Sequence, residues 1–139
     1  MKKLIMTLLT VFMAASLFCE KITFSADSMS GSNKKDNSLT VLEGNAHIVT
    51  QSMEISADKI TLSGKDYRYI KAEGHVDGSN TESEMDFTAQ SMEYDRDTKT
   101  ATLSGSVSLK DLKNDVVAAA QIIEYTSDLV TIFLFIVHL

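Results

Sequence analysis

The 139-residue chain has no proline, no tryptophan, one cysteine and six glycines, and only 7% of its residues are aromatic. A lone cysteine excludes a disulfide scaffold and a thiolate metal cluster. With 13 basic residues against 19 acidic ones, the clustered cations of a nucleic-acid interface are missing, so nucleic acid is not an expected partner. The absence of proline points to long uninterrupted elements joined by tight turns. What is present is a normal globular share of apolar residues, 44%, enough for one packed domain.

Lys2 and Lys3 precede fifteen uncharged residues, Leu4 to Phe18, and the small residues Ala14, Ala15 and Ser16 lead to Cys19. That pattern reads as a signal peptide over residues 1–19, too short for a membrane span of about 17–25 apolar residues. Simple cleavage after Cys19 has one rival. Ser16-Leu17-Phe18-Cys19 is a poor lipobox, because Phe18 is bulky, but lipid anchoring at Cys19 stays open. Removal of this segment takes away both lysines and the only cysteine. It leaves 11 basic against 19 acidic residues, in an exported chain without cysteine.

Residues 20–139 repeat. An apolar-x-Ala-x-x-apolar motif places Ala26, Ala57, Ala89 and Ala120 at spacings of 31, 32 and 31. An apolar-x-Gly-x-small motif places Gly44, Gly74 and Gly105 at spacings of 30 and 31. Two motifs on one period indicate a repeat architecture. Within each unit the alternation is two: Ala101, Leu103, Gly105, Val107 and Leu109 oppose Thr102, Ser104, Ser106 and Ser108. After each marker alanine the parity slips, from Ala57 to Ile60, from Ala89 to Met92 and from Ala120 to Ile123, which calls for a bulge or corner there. A corner at one place per unit stacks into two facing sheets. Gly64-Lys65-Asp66, Asp77-Gly78-Ser79-Asn80 and Asp95-Arg96-Asp97 carry turn signals. No segment after residue 19 keeps helical periodicity over three turns.

Gly44-Asn45-Ala46, Val49-Thr50-Gln51, Ala57-Asp58-Lys59-Ile60, Ser91-Met92-Glu93-Tyr94 and Leu103-Ser104-Gly105-Ser106-Val107, in this order and spacing, resemble the LptA/OstA family of periplasmic lipopolysaccharide-transport proteins. The resemblance covers about residues 22–134. It implies an all-β fold, an open twisted antiparallel β-jellyroll of two facing sheets, with an apolar groove for the acyl chains of lipopolysaccharide or another glycolipid. It also implies a periplasmic location and partners that are homologous jellyroll domains of inner- and outer-membrane components. Head-to-tail self-association through terminal strands is expected too, at Lys21–Met29 and Val116–Phe135.

By inward parity the lining candidates are Ile22, Phe24, Ile48, Ile55, Ile60, Leu62, Val76, Phe87, Met92, Tyr94, Leu103 and Val107. The family's lipid contacts resemble Ile22, Phe24 and Tyr94 most closely. The small inward residues, eight alanines among them, suit a sparsely filled cleft; they also suit close sheet packing in a dry core. His47 and His75 fall on outward parity at different offsets from their glycines, so no metal site is expected. Neither a nucleophile elbow nor a phosphate loop is present, so neither an enzyme nor a cofactor is expected. Glu82/Glu84 and Asp95/Asp97 read as solvated turn residues.

The expected function is a lipid carrier or bridge module that passes acyl chains toward the outer membrane. The alternative is a structural β-repeat that docks proteins edge to edge without lipid. The fourth glycine motif is due near residue 135, where the chain instead reads Leu134-Phe135-Ile136-Val137-His138-Leu139. The last repeat is therefore incomplete, and the apolar terminus is either altered or a strand awaiting a partner.

Overall fold

The computed structural model describes residues 21–126 and 129–133. The signal-peptide and lipobox expectations, and the terminal run 134–139, lie outside them. Nine strands follow one another: β1 Thr23–Ser25, β2 Ser28–Lys34, β3 Asn37–Val49, β4 Met53–Gly64, β5 Tyr69–Asn80, β6 Met85–Asp95, β7 Thr100–Asp111, β8 Val116–Thr126 and β9 Leu129–Phe133. A short turn at Lys65–Tyr67 joins β4 to β5. All pairing is antiparallel between sequence neighbours, except that β1 and β2 share the same edge of β3. This is the all-β architecture that the alternation implies.

Each long strand is broken once. The β3–β4 ladder runs from Glu43↔Lys59 to Ala46↔Ala57, so two β3 residues face one of β4. The same two-against-one count recurs at Glu73/Val76 between β5 and β6, and at Ser104/Val107 between β7 and β8. The extra residue thus sits on the glycine-motif strand, opposite the alanine-motif strand where parity slips. The pairs Gly44-Asn45, Gly74-His75 and Gly105-Ser106 all have positive φ, 77° and 46°, 79° and 48°, 81° and 48°. Glycine adopts that conformation without a Cβ penalty, which explains one glycine per unit.

The corner folds the sheet onto itself. Phe24 is the ladder partner of Ile48, and the Tyr67 hydroxyl lies 2.8 Å from Thr40 Oγ1. Thr40 and Ile48 are eight residues apart on β3, about 26 Å if the strand were straight. Yet the Phe24 and Tyr67 rings meet edge to face with centroids 6.5 Å apart. Two layers result. Layer I holds β2, β9 and the halves of β3–β8 nearest the turns at 35–36, 65–68 and 96–99; layer II holds β1 and the other halves, nearest the turns at 50–52, 81–84 and 112–115.

Between the layers lies one apolar core. Leu42, Ile60, Leu62, Ala72, Met92 and Ile123 of layer I are completely buried, with Ile48, Ile55, Val76, Val107 and Leu109 of layer II against them. Asp77–Asn80, which carries a turn signal, is instead the end of β5; the turn follows at 81–84. Gly78 faces the core, and a Cβ there would sit inside the ring of its ladder partner Phe87. Packing against the Phe87 ring, not a turn conformation, accounts for that glycine.

The turns also stack from unit to unit. The Thr81 N–H donates to the Ser52 carbonyl at 2.8 Å, Leu112 N–H to Glu84 carbonyl at 3.0 Å, and Arg96 N–H to Arg68 carbonyl at 2.8 Å. Asn80, Asp95 and Asp111 each accept backbone N–H bonds from their own turn.

Candidate functional site: the interlayer core and its open ends

Nine of the twelve lining candidates belong to the buried cluster: Ile48, Ile55, Ile60, Leu62, Val76, Phe87, Met92, Leu103 and Val107. They touch one another across the two layers, and the most exposed, Phe87, is 7% accessible. The other three, Ile22, Phe24 and Tyr94, are half-buried and pack against that cluster from its margins. With them stand Ala26 and Tyr67 at the N-terminal end and Ala118, Ala120 and Tyr125 at the C-terminal end. Among the described residues the apolar cluster therefore extends from half-buried Ile22, Phe24, Ala26 and Tyr67 to half-buried Ala118, Ala120 and Tyr125. Tyr67 was missing from the inward set because it follows a turn. Its φ of 54° turns the ring inward, a placement that strand parity cannot give.

Both ends carry unpaired strand edges. β9 pairs with β8 only from Ile122 to Thr126, which leaves the layer II half of β8, Val116–Ala120, as an edge among the described residues. Val116 and Val117 are exposed there, Val117 at 72%. At the other end every residue of β2 is exposed, Met29 at 59%. Leu129–Phe133, part of the apolar terminus, is a paired strand.

Polar groups decorate the outside of the corner. A pocket of about 320 Å³ is lined by Asn45, Ala46, His47, Ser56, Ala57, Asp58 and His75. His47 Nδ1 lies 2.8 Å from Ser56 Oγ, its ladder partner, and His47 Nε2 is 3.1 Å from Glu54. Ser56 sits mid-strand between β3 and β5, paired on both sides, and Glu54 is largely solvated. These are cross-strand surface pairs with no oxyanion site around them. His75 Nδ1 lies 2.8 Å from Asp58 Oδ2, and that hydrogen bond raises the imidazole above its ordinary pKa. Asn45 donates to Asp27 at 2.9 Å in the preceding unit, so the contact recurs across the corner. Among the described residues no group of three or more His, Cys, Asp or Glu side chains could hold a metal ion.

At the layer I rim, Asp95 is no merely solvated turn residue. Arg68 Nε and Nη2 donate to its two oxygens at 2.9 Å each, and Arg68 Nε is 3.4 Å from Asp97. The guanidinium, with backbone N–H donors from Asp97 and Thr98, holds the Asp95 carboxyl at a pKa of about 2. Arg68 also stacks 5.0 Å over Tyr69.

Comparison with known proteins places these features. Residues 23–129 match the family described as LptA/(LptD N-terminal domain) LPS transport protein. No curated protein gives a match of its own. Fourteen chains of solved structures match. Among them is LptH from Pseudomonas aeruginosa, titled the LptA homologous periplasmic component of the conserved lipopolysaccharide transport device. It is 14% identical, with a TM-score of 0.67 over 81% of each chain. At that identity the likeness speaks for the fold, an open jellyroll.

Proposed function

Since the chain belongs to the LptA/LptD N-terminal-domain family of lipopolysaccharide-transport proteins, we propose that it carries the acyl chains of lipopolysaccharide, or of a related glycolipid, between its two layers in the periplasm. The observation that supports this reading is the apolar interior, continuous among the described residues from half-buried Ile22, Phe24 and Tyr67 to half-buried Tyr125. An alkyl chain entering at either end exchanges side-chain contacts for contacts of the same kind. Each methylene it buries contributes roughly 0.8 kcal/mol. Such contacts have no preferred direction, so the chain is gripped without being fixed and can slide. Half-buried Ile22, Phe24 and Tyr94 form the first contacts, and Ile48, Ile55 and Phe87 of the core follow. Loading parts the layers, because the resting core is filled by its own side chains.

The edges supply the second half of the function. Val116–Ala120 of one copy and the exposed β1–β2 edge of another, or of a homologous domain on a membrane partner, extend the ladder head to tail. That contact does not close on itself, so it builds a bridge along which the interior continues.

A photoactivatable residue at Phe24 and another at Tyr94, in cells with their own outer membrane, test the reading. Glycolipid adducts at both positions, absent from an outward control at Val49, support it. Clean protein at both positions favours the edge-to-edge adaptor, which the densely filled core also suits.

A further inference from the structure

The chain is acidic overall, but its cations are unevenly placed. Lys34, Lys35, Lys65, Arg68, Arg96 and Lys99 all lie in or beside the hairpin turns of layer I, against Asp36, Asp66, Asp95 and Asp97. The layer II turns carry Glu82, Glu84 and Asp115 against Lys113, with Glu54, Asp86 and Asp111 against Lys110 just behind. Among the described turn residues one rim is net positive and the other net negative.

The positive rim is also built. Arg96 Nη1 donates to the carbonyls of Asp66 and Tyr67, at 2.7 and 3.3 Å, and so ties the second turn to the third. Asp95 and Asp97 are engaged with Arg68. Lys34, Lys35, Lys65 and Lys99 are exposed. Neighbouring hairpins stand two strands apart, about 10 Å, so these cations form a row. Directly inside the row, Tyr67, Tyr94 and Tyr125 are half-buried against the core. An aromatic lip under a row of cations is the arrangement of a boundary between an apolar phase and an anionic one.

We propose that this rim binds the phosphate-bearing head of the amphiphile whose chains lie between the layers. The inference rests on the carrier reading and adds the chemistry of the head. A second copy's acidic rim would match the cations by charge, but it offers nothing to the tyrosine lip. A ligand with alkyl chains beneath a phosphate answers both. Phosphate draws the lysines through charge-assisted hydrogen bonds that weaken with salt.

The test is a binding titration of the mature protein with a bisphosphorylated acylated disaccharide and with its dephosphorylated counterpart of identical chains, at low and high salt. The double variant Lys65→Gln/Lys99→Gln is compared with Lys110→Gln/Lys113→Gln, which removes the same charge from the opposite rim. Far-ultraviolet circular dichroism checks that both variants fold. Two lost lysines weaken the phosphorylated probe about thirtyfold; the dephosphorylated probe is unaffected, its binding insensitive to salt, and the opposite-rim variant resembles wild type. Equal binding of both probes, or equal loss in both variants, overturns the head-group site and leaves the carrier standing. Failure of both probes to bind overturns the carrier reading and this one together. Inorganic phosphate displacing the probe at equal concentration would show a free-anion site instead. Concentration-dependent association that the layer I variant abolishes would assign the rim to a second copy.

Discussion

Gly74 sits at φ 79° beside His75 at 48°, and a Cβ there would run into the Asp58 carboxylate. Gly74→Ala therefore combines left-handed strain of about 1–2 kcal/mol with displacement of the Asp58–His75 contact. Urea unfolding should show a clearly lowered midpoint; an unchanged midpoint would mean that the corner does not need glycine. Arg68 and Asp95 make a prediction in pH. The Asp95 carboxyl lies at about 2 in the fold, below the ordinary 3.8. Its stabilising contribution is therefore complete above pH 4 and lost as pH falls from about 4 through 2. Arg68→Gln should flatten the stability profile in that window and nowhere above it, as followed by thermal unfolding across pH. His75 has the opposite sign: its raised pKa makes a contribution present below the ordinary 6.5 and lost as pH rises through the folded value. A proton NMR titration of His75, returning toward the ordinary value in Asp58→Asn, checks it.

At the scale of elements, the edge of β8 carries the sharpest prediction. Val117 is exposed on a half-strand that pairs with β7 on one side and has no partner among the described residues on the other, and a charge on such an edge blocks strand addition. Val117→Lys should leave the fold intact and weaken the proposed head-to-tail association, as read by analytical ultracentrifugation; undiminished association would move the contact elsewhere. Much of this level was legible in the residues. The period of 31 located the corners, and alternation gave the inward faces of β3, β5 and β7 correctly, because a strand with one buried face has a period of two. The parity slip at Ala57, Ala89 and Ala120 was visible as well. Which strand holds the extra residue was not, since a ladder count needs both partners. Gly78 and Tyr67 escaped for a related reason. One answers to the Phe87 ring and the other to a left-handed turn, and neither is a property of local sequence. Arg68 with Asp95 joins residues 27 apart in sequence across neighbouring turns, a pairing invisible until the turns are stacked.

At the scale of the whole molecule, a repeated corner makes a two-layer roll whose apolar interior is buried along its middle and, among the described residues, flanked by half-buried side chains. Nine of the twelve lining candidates are the core itself. On the proposed carrier reading, loading has to separate packed layers, so filling and emptying would change the same contacts that stabilise the fold. Leu103, with 1% exposure between the layers, shows the link. Leu103→Ala should cost roughly 2–5 kcal/mol of stability, and added glycolipid should restore part of it by filling the space. The most direct test of the central claim is methyl NMR of the mature protein with an acyl chain bearing a nitroxide near its terminal methyl. Selective broadening of Ile48, Ile55, Leu62 and Leu103, with the outward Leu39 and Val117 left sharp, is the predicted result. Broadening confined to Leu39 and Val117, or none at any concentration of the probe, would contradict a lipid held between the layers.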